Sequence, residues 1–227
     1  AGDYLQYASN DLKSDREVVI EAIKSSGKAF IYANEKYRKD REIIIAASKT
    51  HFSSYVIANI PESFQEDYEI VINAINSNSY SFKYLTSKLI GDRNFVLNAV
   101  RKYDCSLEHV SSQFQDDQEI VLTAVRNNGL SIQFASEVLK SDYEVILQAV
   151  KQNGWALQYA SYELQADREI VLAAVRERGS ALEYASTDLQ ADREIVYEAC
   201  VSMGRSLQYT TSELQADREI VLAAVSP

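Results

Sequence analysis

Nine aspartates recur along the chain: Asp15, Asp40, Asp67, Asp92, Asp117, Asp142, Asp167, Asp192 and Asp217. Eight of them have Glu two residues later, and Asn94 takes that place in the ninth. Paired carboxylates can do acid–base work, hold a cation or receive a basic peptide. A general acid needs a cleft that raises its pKa, and a pair repeated in every unit cannot line one cleft. Repetition therefore points to folding. Arg16, Arg41, Arg93, Arg168, Arg193 and Arg218 stand between the two acids, so the row reads as helix caps joined by an inter-repeat ion ladder. A strip for cations or a basic peptide is the alternative.

Other chemistry is sparse. His109 takes a position that is aromatic in most units and reads as a packed substitute, and His51 reads as a solvated turn residue. Neither has a second histidine or a cysteine at zinc-ligand spacing, and no glycine-rich phosphate loop is present. No catalytic residue, metal or cofactor is expected. Cys105 and Cys200 fall in different phases about four units apart, roughly 35 Å at one helix layer per unit, beyond disulfide reach. This fits a reducing, cytoplasmic compartment. Cys200 replaces Val and reads as a small buried hydrophobe.

The carboxylates are placed by a repeat. Seven of the eight gaps between aspartates are 25 residues and one, Asp40 to Asp67, is 27. A fixed period of this size means one supersecondary unit stacked on copies of itself. Counting from Asp167, the residues Ile170, Val171, Ala174 and Val175 at offsets three, four, seven and eight form one face of an α-helix. Asp167 suits its N-cap, Glu169 and Arg176 suit its two dipole ends, and Gly179 reads as a left-handed stop. A second helix of about nine residues is expected over ALEYASTDL, from Leu182, Ala185 and Leu189. Offset seven is Ala in all nine units, which calls for close backbone approach. The expected fold is all-α: an α-solenoid of about nine stacked 25-residue two-helix repeats, forming one helical-repeat domain over 1–227. A bend or truncated helix is expected near 48–63, where Phe52 replaces the Gly and Pro61 falls in the short helix.

Offset thirteen varies freely: Lys28, Ser53, Tyr80, Cys105, Leu130, Trp155, Ser180 and Arg205. Tyr80, Leu130 and Trp155 are large apolar groups that packing does not require there. With Tyr143 and Tyr162 in neighbouring phases, they are the candidate partner-binding residues. The other reading of Trp155 is a lid over its own turn.

Composition narrows the function. A 46% hydrophobic content supplies a core, while 7 Gly and 2 Pro are few for a sheet-rich fold. The net charge of −10 opposes phosphate backbones and anionic membranes. No run of about 18 apolar residues could insert into a bilayer, and no secretory leader is expected at the start. Tyr4–Ser9 already reads as repeat helix and Val225-Ser226-Pro227 stops just after one, so the chain reads as a segment of a larger protein; end helices that fray or pair with a second copy are the alternative. The expected partner is another protein, not nucleic acid.

The run ALQYASYELQADREIVLAAVRERG, with Leu157, Tyr159, Ala160, Ser161, Leu164, Asp167, Arg168, Glu169, Ile170, Val171, Ala174, Val175 and Gly179, resembles the tandem repeat family Domain of Unknown Function 4116. The likeness recurs along the chain, strongest from about residue 117 and weakest over 48–66. Members of that family are multi-repeat stretches in large proteins of intracellular bacteria, protists and large viruses. The resemblance implies an effector or host-interacting protein, in host cytosol after secretion, and it implies no activity or catalytic residue. A partner-binding scaffold module is the function expected; a non-catalytic spacer or targeting segment is the alternative.

Overall fold

A computed structural model describes residues 2–103 and 107–225. Cys105 and the Ser226-Pro227 end lie outside the described residues, and with them the disulfide distance and the reading of the C-terminal stop. All regular structure among the described residues is helical, and the repeats make an all-α solenoid. The helices gather into two compact units, Ala1–Ser111 and Ser112–Pro227. The first unit holds the long helices α1 (Arg16–Ser25), α2 (Arg41–Ser48), α3 (Tyr68–Ser77) and α4 (Arg93–Tyr103). The second holds α5 (Gln118–Asn127), α6 (Tyr143–Gln152), α7 (Arg168–Glu177), α8 (Arg193–Ser202) and α9 (Arg218–Val225).

Each long helix starts where its Asp predicts. The Asp167 carboxylate accepts from the backbone N–H groups of Glu169 and Ile170, both at 3.0 Å. The other eight do the same at one or both of those amides. Helices of about ten residues are marginal alone, so their stability comes from the stripe they bury. In α7 that stripe is Ile170, Val171, Ala174 and Val175, all fully buried.

The return path differs from one nine-residue helix. It divides into a six-residue 3-10 helix, such as Gly154–Tyr159 or Gly179–Tyr184, and a one-turn α-helix, such as Tyr162–Gln165 or Thr187–Gln190. The division falls at Ala185, whose extended backbone (φ −72°, ψ 157°) breaks the helical run. A glutamine ending the short helix ties the two pieces: Gln165 and Gln190 each donate from Nε2 to the carbonyl of Leu157 or Leu182 at 3.1 Å. Successive repeats are stitched by backbone bonds, Ser161 N–H to Lys140 O and Ser186 N–H to Gln165 O, both 2.9 Å.

Gly179 does not act as a left-handed stop. None of the seven glycines has a φ in the left-handed range, and α7 ends on an extended Arg178 with φ −150° and ψ 106°. Glycine is needed for space. A Cβ on Gly179 would sit 2.2 Å from the carbonyl oxygen of Ala199, and one on Gly154 would sit 2.4 Å from that of Ala174. The invariant Ala and the glycine of the preceding repeat are thus two sides of one contact, which explains both.

The irregular repeat bears out the truncation expected at 48–63. Helix α2 stops at Ser48, after eight residues, and an α-helix, Ser53–Ala58, replaces the 3-10 segment. Pro61 does not interrupt a helix. It occupies the N-cap of the one-turn helix Glu62–Gln65, at φ −56°, where its missing N–H leaves no bond unmade.

Candidate functional site

Tyr80, Leu130, Trp155, Ser180 and Arg205 lie in the turn after a long helix, each as the second residue of a 3-10 segment. Their main chain is fixed from two residues back. Asn78, Asn128 and Asn153 accept through Oδ1 from the N–H of Tyr80 (3.0 Å), Leu130 (3.1 Å) and Trp155 (3.0 Å). Where offset eleven is Arg178 or Met203, before Ser180 or Arg205, no side chain caps the turn. The large apolar residues therefore coincide with the Asn-capped turns. The three asparagines were visible in the sequence; their pairing with offset thirteen was the missed signal.

Trp155 is neither free nor folded over its own turn. It reaches forward to the next repeat, where its indole N–H donates to Ser180 Oγ at 3.0 Å and the Arg178 guanidinium lies 4.3 Å over its ring. It keeps 40% of its surface exposed. Leu130, one repeat earlier, is half-buried. Tyr143 and Tyr162 do not join them. Tyr143 opens α6 and Trp155 follows its far end, about 15 Å away for a helix of this length. Tyr162, 71% exposed, opens the one-turn helix leading back to Asp167. Tyr80, in the first unit, is 42% exposed and sits in its own cluster. His109 meets it edge-on at 5.4 Å, Tyr84 at 5.9 Å, and Lys83 Nζ bonds its hydroxyl at 3.2 Å. The Lys83 ammonium holds the Tyr80 hydroxyl below the usual phenol range.

The opposite edge carries the ladder, and its rungs run forward. Arg41 bonds Asp67 at 2.7 Å and Glu69 at 2.8 Å. Arg193 bonds Asp217 at 3.0 Å and also Glu219. Arg16 reaches Asp40 and Glu42, and Arg168 reaches Asp192 and Glu194. These arginines hold Asp67 and Asp217 below the ordinary carboxylate range. Tyr143 occupies an arginine position and makes a neutral rung: its hydrogen bond to Glu169, with burial added, pushes the phenol up to about 12. The repeated carboxylates thus cap their helices and, at these joints, cross-link them, and no metal-binding cluster occurs among the described residues. Cys200 is 1% exposed, and burial raises its thiol pKa, which suits a packing residue. No helix among the described residues is long and apolar enough to cross a membrane.

The repeat geometry and the chain's family agree. The model of the family described as Domain of unknown function (DUF4116) matches residues 2–38, 15–59, 40–90, 92–140, 142–190 and 192–226. The chain belongs to this DUF4116 family. Five of its six matches begin on a capping aspartate, and those over 92–140 and 142–190 each take in two 25-residue repeats. No curated protein and no solved structure matches the chain.

Charge divides the DUF4116 array unevenly. Residues 1–111 carry 15 acidic and 14 basic side chains, a net −1; residues 112–227 carry 18 and 9, a net −9. The second unit presents its Trp155 edge on a strongly acidic body.

Proposed function

We propose that the DUF4116 array is a protein-recognition module, with Trp155 and Leu130 on the turn edge of the second unit as its principal anchors. One observation carries this reading: a partly exposed tryptophan stands where the repeat needs no side chain of any given size. It is held in one pose by Asn153, Ser180 and Arg178. An anchor fixed before binding loses little rotamer freedom on contact, and Trp, Tyr and Arg are the residue types that dominate interface energetics. The net charge of −9 on that unit favours a partner with a basic face and speeds its encounter. Tyr80 supplies a separate anchor on the first unit. Tyr162 remains an exposed candidate on the opposite edge, whereas Tyr143 serves the ladder.

A spacer role is the second reading. It is favoured by the fact that Trp155 and Tyr143 both bond to the neighbouring repeat. Affinity capture separates the two. Trp155→Ala with Leu130→Ala should cut capture of a partner about tenfold or more while leaving helical content unchanged. A partner retained equally by both forms would remove the turn edge from consideration. Deleting one 25-residue repeat without losing the parent protein's activity would favour the spacer.

A further inference from the structure

The turn of the irregular repeat leaves one backbone donor unused. At three regular joints the residue at offset ten accepts from the glycine N–H of the preceding repeat: Gln152 Oε1 from Gly129, Glu177 Oε2 from Gly154, and Ser202 Oγ from Gly179 at 3.0 Å. Thr50 holds offset ten in the repeat anchored at Asp40, and its hydroxyl is engaged elsewhere. It donates to Ala47 O at 2.7 Å and accepts from the Phe52 N–H at 3.3 Å. Gly27 is buried, and its N–H meets no acceptor among the described residues. A buried N–H without an acceptor is unfavourable, and a ligand oxygen would relieve it.

Gly27 lines a cleft of about 450 Å³ at the C-terminal ends of α1, α2 and α3. Lys24, Lys49 and His51 line it too, with hydroxyl side chains and Phe52 between them, and no carboxylate does. Lys24 shares its charge with Glu21, 2.6 Å away, whereas Lys49 makes no ion pair among the described residues. The turn carrying His51 is held by Asn78, whose Nδ2 donates to His51 O at 3.4 Å. The carbonyls that end the three helices are already taken. Ala22 O accepts from Ser26 N–H at 2.8 Å, Ala47 O from Thr50, and Ala74 O from Ser53 and Ser81. The cleft therefore offers donors and positive charge to a ligand, which suits an anion and not a cation.

We propose that this cleft binds a carboxylate side chain from an acidic peptide segment. One carboxylate oxygen takes from the Gly27 N–H the bond that Glu177 takes from Gly154. Lys49 supplies the opposite charge, His51 a further donor, and Phe52, 41% exposed, a wall for the aliphatic stem. The internal joint names the ligand class, because the oxygen on the Gly154 N–H is itself a carboxylate's. The site uses residues of the first unit alone, so it stands or falls apart from the reading of Trp155.

An NMR titration of the ¹⁵N-labelled 227-residue chain tests this, with an end-blocked hexaglutamate peptide from about 0.1 to about 10 mM and hexaglutamine as the uncharged control. The Gly27 amide should move downfield and saturate with the first peptide and stay in place with the second. Lys49→Gln should weaken the response about threefold or more. Thr50→Glu puts a carboxylate at offset ten, as Glu177 does, so it should shift the Gly27 amide without peptide and abolish the titration, with circular dichroism unchanged. A Gly27 amide that never moves overturns the proposal. So does an equal response to hexaglutamine, or a titration that survives both substitutions. Tighter binding of inorganic phosphate than of hexaglutamate would overturn the assignment to a carboxylate.

Discussion

In the repeat anchored at Asp167, Gly179 brings bare backbone against the carbonyl oxygen of Ala199. In the repeat anchored at Asp40, Ser53 meets the corresponding carbonyl, Ala74 O, with a hydroxyl at 2.9 Å. Ser81 donates to the same oxygen at 3.1 Å. The two extra residues of the irregular repeat and its α-helical return let the backbone stand further off, and a hydrogen bond fills the gap. One step earlier, Thr50 closes over its own Ala47 carbonyl at 2.7 Å, and a Cβ on Gly27 would collide with that threonine's side chain instead of backbone. The invariant feature of the repeat is therefore a carbonyl that must be approached closely or hydrogen-bonded. Glycine is one of two ways to meet that demand.

The largest effect should come from breaking the backbone version. Gly179→Ala forces a methyl against a carbonyl that belongs to a packed helix, and overpacking of this kind costs roughly 1–3 kcal/mol. Gly27→Ala meets a side chain, so pairing it with Thr50→Ala should recover part of the loss, the remainder coming from the Thr50 Cβ, which would still lie 2.5 Å away. Ser53→Ala removes one of two donors to Ala74 O and should cost about 0.5–1.5 kcal/mol. Urea denaturation followed by circular dichroism orders the three. If Gly179→Ala proved as mild as Ser53→Ala, the close-approach account of the glycine would be wrong.

This contrast marks what was legible in the sequence. The nine caps and the buried stripe are set by residues within one helix, and spacing alone reveals them; the invariant Ala is visible as a close approach, without its partner. Gly179 was misread because its constraint comes from Ala199, a residue of the next repeat, whereas a glycine after a helix ordinarily signals a left-handed turn. Pro61 was placed inside a helix because the break between the 3-10 and one-turn segments was not foreseen; the apolar spacing of Leu182, Ala185 and Leu189 spans that break without showing it. For the site, Trp155 was found from where variation falls. Its link to Ser180 and Arg178, and the separation of Tyr143 from it by a helix length, needed the fold.

At Asp67, Asp192 and Asp217 the cap and the ladder share one carboxylate, whereas Asp167 caps α7 and makes no ion pair among the described residues, so substitution there reads the cap. Asp167→Ala should cost about 0.5–2 kcal/mol, since two amides of α7 lose their acceptor. Asp167→Asn keeps a capping oxygen and removes only the charge, so it should cost far less. Hydrogen exchange at the Glu169 and Ile170 amides reads the difference directly. Equal losses from both substitutions would move the weight from the capping oxygen to the carboxylate's charge at the helix N-terminus.

The smallest effects belong to the rungs, which are solvent-exposed and screened by salt. Two of them should fail at opposite ends of the pH scale. Asp67 is held below its unfolded value by Arg41, so its contribution is present above about pH 4 and disappears as acid protonates it through the lowered value. Tyr143 is shifted the other way: its neutral form donates to Glu169, and its pKa rises from 10.0 to about 12. Its contribution is therefore complete below pH 10.0 and lost as pH climbs toward 12. Arg41→Gln should flatten the acid limb of a stability–pH curve and leave the alkaline limb alone, while Tyr143→Phe should do the reverse. Raising salt should shrink the first difference more than the second, because the Arg41 rung joins two opposite charges and the Tyr143 rung rests on a hydrogen bond to one.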